Sequence, residues 1–169
     1  MTRWHFSPPL PVDNGMNNIT VEITTNPIQQ GDLLNDFSAD KTDIGAVCAF
    51  VGLVRDFNDN HNIKYLTLEH YPGMCEKKLH DIADNAFQKF DIFKTAIYHR
   101  IGTMRPNDTI VLVLVAARHR KAYFHACEYI MDYLKTDAPF WKVEQDITGQ
   151  EKWIEARTSD NIARAEWKK

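Results

Sequence analysis

Apolar and polar residues follow two rhythms along the chain, and each change of rhythm marks an element. "ITVEIT" (Ile19 to Thr24) and "KYLTLEHY" (Lys64 to Tyr71) alternate with a period of two, as strands with one buried face do. Pro72 and Gly73 then stop the second of them. "GAVCAFVGLV" (Gly45 to Val54) is almost continuously apolar, β-branched and aromatic, which predicts a central strand ending at Arg55. "FKTAIYHR" (Phe93 to Arg100) and "TIVLVLVAA" (Thr109 to Ala117) read as two further strands, and the "PND" of Pro106 to Asp108 predicts a turn joining them as a hairpin.

The helical rhythm is clearest from Cys75 to Phe90, where Leu79, Ile82, Ala83, Ala86, Phe87 and Phe90 fall on one face. In "KAYFHACEYIMDYLK" (Lys121 to Lys135), Ala122, Ala126, Cys127, Ile130 and Leu134 predict a second long helix, which Pro139 prevents from continuing. "DLLNDF" (Asp32 to Phe37) fits a short helix. "FWKVEQD" and "KWIEAR" predict a last pair of strands around Gly149, with Phe140, Lys142 and Glu144 on one side. The sum is a single α+β domain, a mixed or antiparallel sheet with two main helices, over residues 19–157. Residues 1–18 hold Pro8, Pro9, Pro11, Asn14, Gly15, Asn17 and Asn18 and are expected to form a flexible arm, and residues 158–169 a polar tail.

Composition narrows the function. A chain of 169 residues, 44% hydrophobic and 25% charged, supports one domain with a real core. No run approaches the ~18 apolar residues a membrane span needs. A net charge of −3 argues against general nucleic-acid binding, so any anion site must be local. The N-terminal residues lack the apolar core of a secretory signal, which makes the cytoplasm the expected compartment. Cys48, Cys75 and Cys127 lie far apart with no C-x-x-C pair, so no zinc knuckle, redox pair or other metal site is expected.

Candidate chemistry sits where cations meet apolar runs. "ARHRKAY" puts Arg118, His119, Arg120 and Lys121 between a buried strand and a helix start, where positive charge opposes the helix dipole unless an oxyanion binds. A solvated basic turn would account for the tetrad equally well. Arg55 ends a strand and could line a cleft. "LKTDAPFWK" sets Lys135 and Lys142 on either side of an apolar run, and a lysine near apolar walls gives up its proton more easily. His99, Arg100, Glu69 and His70 read as structural. Arg55, His119, Arg120, Lys135 and Lys142 form a cationic set suited to a small phosphorylated ligand. No phosphate-binding glycine loop, zinc-protease helix or serine-hydrolase elbow appears.

In order, "FVGLVRD", "LTLEHYPGM", "HRIGTMRPND", "ARHRKAYFHAC", "YLKTDAPFWKVE" and "WIEAR" resemble the large, catalytic subunit of molybdopterin synthase, from about Gly45 to Arg157. The resemblance implies a hammerhead-type α+β fold. It also implies conversion of cyclic pyranopterin monophosphate to molybdopterin, with sulfur from the C-terminal thiocarboxylate of a small ubiquitin-like subunit. A homodimer carrying two small subunits, a heterotetramer, is implied, with no cofactor, nucleic acid or membrane. Carried over by position, Lys135 and Lys142 are the catalytic pair. Leu53, Val54, Arg55, His119, Arg120, Val143, Glu144 and Arg157, with both lysines, are the substrate-binding set. Leu53 stands where members often have a basic or polar residue, so only a backbone contact is expected there, and Tyr123 replaces a commonly smaller residue. A non-catalytic receptor for a ubiquitin-like tail would keep the apolar passage without needing the cations. An RNA binder would need a basic excess, which the chain lacks, and an aromatic stacking platform, which its basic blocks lack.

Overall fold

The computed structural model describes residues 18–39, 44–58, 61–155 and 157–167; the expected N-terminal arm lies outside this range except for Asn18. The elements run β1 (Ile19–Thr24), α1 (Gln30–Ala39), β2 (Ala46–Leu53), β3 (Phe57–Asn58), β4 (His61–His70), α2 (Met74–Lys89) and β5 (Lys94–Arg100). They continue through β6 (Gly102–Met104), β7 (Thr109–Ala117), α3 (Arg120–Thr136), β8 (Phe140–Asp146), β9 (Glu151–Ile154) and α4 (Thr158–Glu166).

A four-stranded sheet of order β1-β5-β7-β2 forms the centre, with β1 parallel to β5 and the other pairs antiparallel. β7 is buried on both faces, which accounts for its unbroken apolar run. Val111, Val113, Val115 and Ala117 point toward α2 and α3, whose stripes supply Leu79, Ile82, Ala86, Ala126 and Ile130. Leu112, Leu114 and Ala116 face the other way, onto Phe37 of α1 and Ile28. The period-two and period-3.6 patterns therefore meet in one core, with helices on both faces of the sheet.

β2 corrects the expectation of a central strand. Among the described residues it pairs with β7 alone and is an edge strand, and Ala49, Phe50, Val51 and Leu53 are exposed. An all-apolar strand signals burial on both faces but does not say which molecule provides the cover. The predicted hairpin of residues 93–100 with 109–117 pairs antiparallel as expected, although β6 intervenes and pairs with β4 in the second sheet.

That second sheet has the order β3-β4-β8-β9 with β6 beside β4. Its inner face carries Leu66 and Leu68 over Val54 and Met104, with Phe140 reaching both this cluster and the main core. The polar sequence after Arg157, for which periodicity predicts no element, forms α4 against α3. Trp167 fixes its end by packing edge-on against Phe90 and Tyr129, at ring separations of 5.9 Å and 5.4 Å. The Trp167 indole N–H also donates to Asp132 at 2.8 Å.

Candidate active site

α3 ends at Thr136, and only Asp137, Ala138 and Pro139 separate it from β8. Asp137 closes the helix through its backbone N–H to Tyr133, and Pro139 forbids another turn. The chain reverses at once, so Lys135 on the last helical turn and Lys142 on the third position of β8 come to one end of the molecule. Lys142 lies between Leu68 of β4 and Ile154 of β9, on the face that carries Leu66 and Leu68. Burial there weakens its hold on its proton, and the positive charge of Lys135 acts in the same direction. Asp160 and Glu144 oppose both effects. Lys135 is half exposed and pairs with Asp160 of α4, Nζ to Oδ1, at 3.8 Å.

The apolar run between the lysines is seated by a histidine. Phe140 stacks on His99 with ring centroids 4.0 Å apart and planes 17° from parallel. His99 is buried, and burial brings its pKa down to about 3; a backbone hydrogen bond to Arg100 resists this, while the charges of Lys142 and His70 add to it. A neutral imidazole thus backs the start of β8, and His70 is held beside Glu76 at 3.4 Å. Sequence reading placed His99 and His70 among structural residues, and nothing in the pattern distinguishes His99 from any other strand histidine.

A second cluster lies further along the same face of β8. Glu144 accepts from the buried Asn58 carboxamide at 2.9 Å and 3.2 Å. The Asn58 carbonyl oxygen in turn accepts from Arg55 at 3.2 Å and from Arg157 at 2.8 Å. The segment is held by Val54, whose N–H donates to Asp108 at 2.9 Å and whose carbonyl accepts from Asn107 at 2.8 Å. The two guanidiniums, 102 positions apart in sequence, thereby point into one place and keep donors for an oxyanion. Asn58 sits in "RDFNDNHN", which reads as an ordinary polar loop.

Other expected site residues fall elsewhere. Leu53 is exposed on the β2 edge. Val143 pairs with Thr67 and Trp153 and so lies on the opposite face of β8 from Lys142 and Glu144. His119 and Arg120 are exposed at the N-terminus of α3, whose other end carries Lys135. Fifteen residues of helix put them ~22 Å from that lysine, so one chain does not bring the whole cationic set together. A cavity of about 200 Å³ beside the cluster is lined by Asn58, Ile63, Glu144, Asp146, Gln150, Glu151 and Lys152. Its carboxylates disfavour a phosphate inside it, and the anion-binding character resides in the guanidiniums and lysines. Among the described residues, no group of three or more His, Cys, Asp or Glu could hold a metal ion, and no helix is long and apolar enough to cross a membrane.

Known proteins share this arrangement of elements. The family described as MoaE protein matches residues 23–137. A molybdopterin synthase catalytic subunit from Ralstonia nicotianae is 51% identical over 129 residues, covering 76% of this chain and 73% of that protein. The structure of a molybdopterin biosynthesis MoaE protein from Burkholderia ambifaria superposes with a TM-score of 0.76 at 42% identity, over 89% of this chain and 99% of that one. Molybdopterin synthase from Staphylococcus aureus gives a TM-score of 0.72 at 34% identity, over 83% and 98% of the two chains.

Proposed function

The chain belongs to the MoaE family of molybdopterin synthase catalytic subunits, enzymes of molybdenum cofactor biosynthesis, and from that premise we propose that it installs sulfur on cyclic pyranopterin monophosphate to form molybdopterin. The sulfur comes from the C-terminal thiocarboxylate of a small ubiquitin-like subunit, whose slim tail enters along the Ala138 to Trp141 wall and ends between Lys135 and Lys142. The observation that carries this reading is the convergence of the two lysines, one of them half-buried with a loosened proton. Lys135, whose head is exposed, reaches the reacting carbon and sulfur as general acid or base. Lys142 holds substrate charge and exchanges protons with it. Arg55 and Arg157 take the phosphate, and Asn58 and Glu144 hold them in place. The three cysteines stay as thiols in the cytoplasm and carry no sulfur in transit.

The separation of His119 and Arg120 from the lysines supports a homodimer. Ala46 at the start of β2 pairs with Ala117, next to Arg118 and His119, while the other end of β2 runs into Arg55. Two copies pairing their exposed β2 edges about a two-fold axis set the start of one strand beside the end of the other. His119 and Arg120 of one copy then approach the Arg55 cluster of the second, and Phe50, Val51 and Leu53 lose their exposure. With a small subunit on each copy the assembly is a heterotetramer.

The test is a single reaction with thiocarboxylated small subunit and cyclic pyranopterin monophosphate, quantifying molybdopterin from wild type and Lys135→Ala. Product from wild type and a loss of 100-fold or more in the variant is expected. A folded wild type that binds the small subunit and forms no product sinks the reading and leaves a receptor for the tail.

A further inference from the structure

α4 contributes no buried residue to the core, yet it is tied down at both ends. Arg157, just before it, donates to Asn58 at 2.8 Å. Near its other end Arg164 grips both oxygens of Asp137, Nε to Oδ1 at 2.6 Å and Nη2 to Oδ2 at 2.8 Å. Lys89 reaches the Trp167 carbonyl at 3.2 Å. Between these anchors Asp160 is turned inward, its side chain 22% exposed, with Oδ1 3.8 Å from the Lys135 ammonium. A pair of that length on a half-exposed lysine adds little to stability. Its consequence is local: it places a negative charge where two lysines would otherwise repel.

We propose that Asp160 is a positioning residue of the lysine pair, holding the Lys135 ammonium toward Lys142 and supplying counter-charge to the half-buried strand lysine. The inference rests on the lysine pair being the reacting centre. Among the described residues, the charged groups acting on Lys142 are Lys135 from α3, Asp160 from α4 and Glu144 from its own strand, while the Lys142 charge in turn helps keep His99 of β5 neutral. Glu144 is already engaged by Asn58 through both oxygens, which leaves Asp160 as the carboxylate shared with Lys135. The anchors through Arg164 and Trp167 explain why a helix without core residues keeps a fixed position: they carry Asp160 to the lysines. Asp160 does not touch the reacting atoms in this arrangement and acts through Lys135 and Lys142.

Full-length wild type, Asp160→Asn and Asp160→Glu, each with thiocarboxylated small subunit, are compared by turnover against pH and by NMR titration of ¹³Cε-labelled lysines. The expected result is a Lys142 titration, and the matching limb of the rate profile, displaced to lower pH by about half a unit in Asp160→Asn, and restored by Asp160→Glu. A folded Asp160→Asn protein whose Lys142 titration and rate profile superimpose on wild type overturns the inference while leaving the lysine pair intact. Wild-type turnover by both Lys135→Ala and Lys142→Ala overturns the lysine reading itself, and this inference falls with it.

Discussion

Replacing Asn58 by alanine removes the one neutral group that joins Arg55, Glu144 and Arg157. The residue is 7% exposed, and four contacts of 2.8–3.2 Å meet on its side chain. They are not four equal hydrogen bonds. The two contacts to Glu144 share one amide nitrogen, and the Arg55 contact at 3.2 Å is at the long limit. Counting the strong Arg157 and Glu144 bonds at ~1.5–3 kcal/mol each for charged partners gives about 3–6 kcal/mol. Both arginines are exposed and regain water, so roughly half survives, about 2–3 kcal/mol. For a chain of this size that is a fall in Tm of about 4–12 °C. Urea unfolding should show a lower midpoint at unchanged m, because the loss is of bonds and not of compactness. With the guanidiniums released, KM for the pyranopterin should rise about tenfold with a smaller change in kcat. A variant within 0.5 kcal/mol of wild type and with unchanged KM would refute the argument that Asn58 organises the cluster.

His99→Phe keeps the stack on Phe140 and removes a group that burial holds near pKa 3. The unfolded chain binds that proton near pH 6.5, so wild-type stability falls by about 1.4 kcal/mol per unit as pH drops below 6.5, until about pH 3. Between pH 7 and 5 the variant should therefore lose about 2 kcal/mol less than wild type in denaturant titrations, and equal losses would remove His99 as a source of acid sensitivity. Gly45→Ala sets a Cβ 2.7 Å from the Arg118 carbonyl oxygen, a backbone atom that cannot move without shifting the entry to α3. A cost of about 1–3 kcal/mol in thermal unfolding is expected. Trp167→Ala deletes the aromatic anchor of α4 and should cost about 2–3 kcal/mol, with faster proteolysis after Arg157 as the local sign.

The two long helices, the doubly buried β7 strand and the reversal at Pro139 are legible in sequence because periodicity reports which side of an element meets apolar neighbours. The lysines of "LKTDAPFWK" follow for the same reason: a short connector between a helix and a strand leaves few places for residues seven apart to go. The ordered motifs carried Arg55 and Arg157 as candidates, but their meeting on Asn58 is a contact across 99 positions on the Arg157 side and 86 on the Glu144 side. Local pattern holds no record of such a contact. α4 was illegible because its stripe is polar and it is held by Arg164 and Trp167, not by a core face. β2 shows the limit from the other direction. Its residues declare that they are to be buried, and only the order of strands in the sheet reveals that this chain leaves them at an edge. Sequence alone determined the elements with a regular apolar face, and which face each hides, since those are set by neighbours within a turn or two. The tertiary structure alone decided which charges share one low-dielectric place, since that depends on how distant faces close on each other.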